Sequence, residues 1–326
     1  MNRKIFLIFL MGLLSVGLLI SSCSGSGDSN TGNQSTNENN INADTDCVYV
    51  GAFESVLSFL ELNDLTSSSP EELTANETEV GVLESTFDIE AIVYDFIDNG
   101  SFPDPGRLFA ADKDVLLEVN TSNADTKLID VFGTIELPGS AVENIDNVDG
   151  LAYDPNNNIF YGSNRDLGLD YIFSFTLTDV GNETMIENVE FLSFMPGDIL
   201  CGSGFCNDID DLAFDLNGDR LLAIINSNDV INVLVEVDTT DGTMKVIGTI
   251  FIDDCSTPLE DIEGLGVTLN GRIFASTGIS GNSRNDFFEL EIDNSTSPVK
   301  VCATRILELL NVDAESLDCS IDSSLQ

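Results

Sequence analysis

One five-residue phrase recurs along the chain and limits what it can fold into. Its copies are Asp88-Ile89-Glu90-Ala91-Ile92, Asn147-Val148-Asp149-Gly150-Leu151, Asp208-Ile209-Asp210-Asp211-Leu212, Asp261-Ile262-Glu263-Gly264-Leu265 and Asp313-Ala314-Glu315-Ser316-Leu317. The third position is always a carboxylate, and the steps between successive copies are 59, 61, 53 and 52 residues. A fixed period of this length marks a repeat architecture, in which each unit buries its apolar face against the next.

Each unit reads as four short strands. In the third, Ile209–Phe214, Arg220–Ile225, Val230–Val237 and Met244–Phe251 are apolar runs, separated by turn formers such as Asp215-Leu216-Asn217-Gly218-Asp219 and Asp238-Thr239-Thr240-Asp241-Gly242. Evenly spaced short strands with Gly/Asn/Asp turns predict an all-β array. The last phrase supplies only a first strand. The N-terminal piece starts at a second strand, Val48–Ala52, followed by Val56–Leu62 and Glu79–Glu84. The spacing therefore predicts a five-bladed β-propeller over residues 47–326, with four antiparallel strands per blade. One C-terminal and three N-terminal strands complete the last blade, which removes a free strand edge. The pattern of strand, Asp-x-Asn-Gly, two strands, Asp-x-x-Thr-Gly and strand, clearest in Asp215 to Thr243, resembles the broad lactonase/NHL-like class of bacterial propellers. That resemblance implies architecture and leaves activity open.

The first residues predict export. Arg3 and Lys4 precede the apolar run Ile5–Ile20, which is short for a membrane span. Ile20-Ser21-Ser22-Cys23 resembles the bacterial lipobox, which implies a signal peptide over 1–22 and lipidation at Cys23. Residues 23–46 are Ser, Gly, Asn, Thr and Asp with little apolar content, a flexible tether. The expected place is the bacterial cell envelope, at the outer membrane, with the lipid as the sole membrane contact.

Six further cysteines in an exported chain imply disulfides. Cys201 and Cys206 close a short loop, for which a metal site is the weaker alternative. Cys47 and Cys319 flank the seam of the shared blade, and Cys255 and Cys302 remain.

Charge and missing residue types exclude several functions. With 57 acids, 12 bases and a net charge of −45, the surface repels nucleic acid and anionic lipid. No histidine is present, which excludes Ser-His-Asp and Cys-His catalysis and histidine-bound metal. No tryptophan is present to stack on sugars.

Equivalent first strands of a propeller surround one channel, so Glu90, Asp149, Asp210, Glu263 and Glu315 form a candidate ring at its mouth. Carboxylates that converge must be protonated or share a cation, and oxygen donors of this type suit Ca²⁺. The competing reading is structural, with each acid capping backbone N–H groups of its neighbour blade. The loops between second and third strands reach the same face and bring Lys113, Asn164, Arg165 and Arg284 to its rim.

Three functions fit. The first is a monomeric binding module that presents this face to a protein or glycan partner. The second is a metal-dependent hydrolase, with a geometry similar to gluconolactonase-type propellers and calcium-activated apyrases. The third is a glycosidase similar to five-bladed arabinanases, with paired carboxylates as acid and base. Asymmetry within the ring is the feature that separates them.

Overall fold

A computed structural model of the chain describes residues 47–51, 55–63, 74–83, 89–95, 106–139, 141–165, 170–181, 183–201, 204–206, 208–226, 231–278, 285–309 and 314–319. The leader, Cys23, the tether, Asp88, Arg284 and Asp313 lie outside the described residues. Within these residues every regular element is a strand.

The strands group into four-stranded antiparallel runs. Sheet I is Ala91–Asp95, Arg107–Asp112, Val115–Val119 and Thr126–Val131. Sheet II is Val148–Asp154, Ile159–Asn164, Tyr171–Val180 and Glu183–Phe194. Sheet III is Asp208–Asp215, Arg220–Asn226, Val233–Val237 and Met244–Ile252. Sheet IV is Ile262–Val267, Ile273–Thr277, Asp286–Asp293 and Lys300–Glu308. Sheet V is Ala314–Asp318, Cys47–Gly51, Val56–Asn63 and Thr74–Val82, so both ends of the described chain enter one sheet. The outer strands of III and IV also pair in parallel, with Ile250 opposite Val301.

The first strands of the sheets neighbour one another in a cycle from I through V and back to I. Phrase positions two and five explain the cycle. Ile89, Val148, Ile209, Ile262 and Ala314, and Ile92, Leu151, Leu212, Leu265 and Leu317, are all buried. Each large member contributes about 1.5–3 kcal/mol by leaving water. Further out, apolar residues fill the gaps between sheets. Phe109 of sheet I meets Phe160 of sheet II edge to face, with ring centroids 5.7 Å apart.

Three disulfides are formed. Cys47–Cys319 joins the second strand of sheet V to the end of its first, with Cα atoms 4.0 Å apart. Cys255–Cys302 ties the loop after sheet III to the outer strand of IV, and Cys201–Cys206 closes a small hairpin.

Two elements differ from the sequence reading. The outer strand of sheet V is Thr74–Val82 rather than Glu79–Glu84. Its start, Thr74-Ala75-Asn76-Glu77, is polar because it sits at the periphery, and pairing with Val56–Asn63 sets its register. The sequence of the first unit reads as a fourth strand over Lys127–Ile135, but the strand ends at Val131. Gly133 has φ +77°, and Thr134–Leu137 turns back on Ala141–Asn144 as a separate hairpin.

Candidate functional site at the first-strand mouth

A β-bulge sets the third phrase position. In sheet II, Val148 and Gly150 face the adjacent residues Asn164 and Ser163, which leaves Asp149 without an opposite number. Asp210 is skipped in the same way in sheet III, Glu263 in sheet IV and Glu315 in sheet V. A bulge turns its side chain out of the regular alternation. This explains why an acid is tolerated between two core residues at that position.

The fourth position faces the crowded centre. It holds Ala91, Gly150, Asp211, Gly264 and Ser316. A Cβ on Gly150 would lie 2.9 Å from Asp211 Cα, and one on Gly264 2.8 Å from Leu317 Cβ. Asp211 is the exception to this small-residue column, and it is fully buried. Its Oδ2 accepts the Leu265 N–H at 2.8 Å, the Ser316 hydroxyl at 3.2 Å and the Leu317 N–H at 3.4 Å, while Oδ1 accepts the Leu212 N–H at 2.8 Å. One carboxyl therefore ties three first strands together. Burial pushes it well above the usual carboxylate range, against the pull of those N–H donors. Sequence reasoning passed over this residue in favour of its neighbour Asp210.

The ring acids are not equivalent. Asp149 is buried and hydrogen-bonded to Glu90; burial first, and the Glu90 charge next, raise it to about 9. Asn147 Nδ2 donates to its other oxygen at 3.0 Å. Asp210 accepts from Asn226 Nδ2. Glu263 and Glu315 are half-buried at their bulges.

A second carboxyl pair lies beside the first. Asp170, which belongs to no phrase, is buried and hydrogen-bonded to Asp208; burial and then that bond raise it to about 7. Its Oδ2 also accepts the Ile209 N–H at 3.0 Å. Asp149 Oδ2 and Asp208 Oδ1 have no hydrogen-bond partner among the described residues.

Arg165 completes the cluster. Its guanidinium bonds Asp208 while 54% of its side chain stays exposed. Burial works against its charge, but Asp208, Asp149, Asp170 and Asp210 outweigh that and hold the proton more tightly. Asn164 is buried beside it. Its Oδ1 accepts the Asp146 and Asn147 N–H groups at 3.0 Å, and its Nδ2 has no acceptor among the described residues. Lys113 lies in the neighbouring loop, where its carbonyl accepts the Val148 N–H at 3.2 Å and its exposed ammonium stands 3.5 Å from Asp112. Among the described residues, no three acidic or cysteine side chains gather closely enough to hold a metal ion. Pairing with Arg165 offsets part of the repulsion among these acids.

No family model matches the chain. No curated protein sequence matches it either. Solved structures resemble it in part. A structure of the nidogen/laminin complex is 10% identical and covers 85% of this chain and 98% of the other, with a TM-score of 0.48. The WD40 β-propeller domain of Doa1 is 12% identical over 86% of this chain and 85% of that one, with a TM-score of 0.40. The PQQ-bound aldose sugar dehydrogenase of Streptomyces coelicolor is 13% identical over 62% and 60%, with a TM-score of 0.36.

Proposed function

We propose that the protein is an exported, lipid-anchored five-bladed β-propeller that binds a protein or glycan partner at the first-strand mouth. One observation carries this reading: the mouth is asymmetric. Where sheets I to III meet, exposed Arg165 stands beside buried Asp149, Asp170 and Asp208 and a buried Asn164 amide nitrogen that has no acceptor among the described residues. A site with a spare donor, a fixed cation and carboxyl acceptors suits a ligand rich in hydroxyl or carbonyl groups. Asp211 fills the centre behind it, so the ligand is met on the rim rather than in a through-channel. The three disulfides support an oxidising compartment. Retention of the full chain on immobilised cell-envelope polysaccharides, compared with Arg165→Ala, tests the reading. Equal retention of the two proteins would reject the mouth as the binding face.

The buried Asp149, held well above the usual carboxylate range next to Glu90, favours a second reading, acid–base hydrolysis. One carboxyl would give a proton to the leaving oxygen while the other draws one from water. Chromogenic glycosides, lactones and esters assayed with the native chain and Glu90→Gln test it; turnover unchanged by the substitution would exclude the pair. Calcium at the ring is a separate proposal. Calorimetry of calcium against the Glu263→Gln/Asp210→Asn double variant tests it, and equal heats, or none, reject it.

A further inference from the structure

The joint between the outer strands of sheets I and II differs from the joint between III and IV. In the latter, Thr249, Ile250 and Phe251 ladder directly onto Lys300, Val301 and Cys302, and a disulfide locks the pair. In the former, Thr126–Val131 pairs only with its own sheet, and so does Glu183–Phe194. Among the described residues, the Ile186 N–H donates to Asp130 Oδ2 across this joint at 3.1 Å. Two open grooves of about 470 Å³ each lie along Glu183–Phe194. One runs between Lys127–Asp130 and Glu183–Met185, the other between Ile135–Gly139 and Val189–Phe191.

The grooves are apolar and acidic together. Leu128 is 58% exposed, Val131 46% and Met185 41%, so three large apolar side chains face solvent at this one joint, against one each on the outer strands of sheets III (Val246) and V (Val82). Glu183, Glu187 and Glu190 project from the same strand and are exposed. Outer-strand backbone without a ladder partner is a template for a further strand.

We propose that this joint takes up an extended segment of a partner protein as an added strand, and that the segment alternates apolar with basic residues. Backbone pairing along Glu183–Phe194 would supply affinity. The apolar residues would cover Leu128 and Met185, and the basic ones would meet the glutamates. The parallel ladder between sheets III and IV is the precedent for this contact within the same molecule. The proposal is independent of the mouth, which lies at the inner strands.

Calorimetry at physiological ionic strength tests it on the full chain. The probes are a blocked peptide of alternating lysine and valine, long enough to span Glu183–Phe194, and its lysine–serine counterpart. The lysine–valine peptide is expected to bind at least about tenfold more tightly. That preference is expected to vanish in Leu128→Ser/Met185→Ser, whose changed side chains are exposed and leave the core intact. Equal binding of the two peptides, or a preference that survives the double substitution, would overturn the proposal. Sedimentation is the second measurement: a concentration-dependent dimer that the double substitution abolishes would assign the joint to a second copy of this chain and also overturn it.

Discussion

Asp211 Oδ2 accepts the backbone N–H of Leu265 at 2.8 Å, a bond between the first strands of two different sheets. The same oxygen takes the Leu317 N–H and the Ser316 hydroxyl from a third strand. A single side chain thus satisfies buried donors that the crowded centre leaves no water to reach.

Loss of that side chain exposes its role. Asp211→Ala leaves the Leu265 and Leu317 N–H groups without their acceptor and opens a void, and is expected to cost about 2–4 kcal/mol. Asp211→Asn keeps the volume and places its NH2 against an N–H donor in either orientation; the orientation that faces Leu212 keeps the acceptor for Leu265 and Leu317, so a smaller loss than for alanine is expected. Urea unfolding midpoints measure both. An Asp211→Ala midpoint equal to the native one would show that the central bonds contribute nothing.

Gly264 tests how closely the first strands approach. An added Cβ would sit 2.2 Å from Ser276 Oγ and 2.9 Å from Leu317 N. Gly264→Ala is expected to destabilise by about 1–3 kcal/mol through overpacking. Gly197→Ala meets nothing within 4 Å and is expected to be close to neutral. Thermal denaturation of the two variants side by side decides the point.

Stability should fall as pH rises through the neutral range. Asp149 and Asp170 are raised to about 9 and about 7 in the folded chain from the ordinary aspartate value of 3.8. Between 3.8 and those values the unfolded chain has released protons that the folded chain still holds. The unfolded state therefore binds fewer protons, and unfolding becomes easier with each step up in pH. The melting temperature is expected to drop from about pH 5 to about pH 9, and Asp149→Asn to flatten much of that slope. A melting temperature that climbs over this window would contradict the upward shifts of Asp149 and Asp170.

The disulfides should differ in weight. Cys47 and Cys319 are 272 residues apart, Cys201 and Cys206 only 5. Constraint of the unfolded chain predicts a loss of about 4–5 kcal/mol for Cys47→Ser/Cys319→Ser and about 2 kcal/mol for Cys201→Ser/Cys206→Ser. Peptide mapping without reduction verifies the pairs, and unfolding of each double variant gives the ranking. Equal losses would mean that chain closure does not set their worth.

The outline of the fold was legible because the phrase carries two buried positions at constant spacing, as Ile209 and Leu212 illustrate. The bulge between them was not, since Asp210 and Asp211 are one residue apart and identical in kind. Only the column Ala91, Gly150, Gly264 and Ser316 marks the fourth position as the confined one, where Asp211 stands out. Asp170 gave no signal at all, because it lies outside every phrase and reaches Asp208 only through the folded path of sheet II. The first half of Thr74–Val82, ahead of the expected Glu79–Glu84, was missed for a related reason. Peripheral strands bury little, so their sequences keep few apolar residues to read.

The bond between Cys47 and Cys319 also fixes how the molecule responds to a pull. Tension applied ahead of Cys47 divides at that residue, between its ladder contact with Leu60 and, through sulfur, Cys319 at the end of the neighbouring strand Ala314–Asp318. The covalent branch carries part of any pull on the seam, so its hydrogen bonds do not peel one at a time from that end.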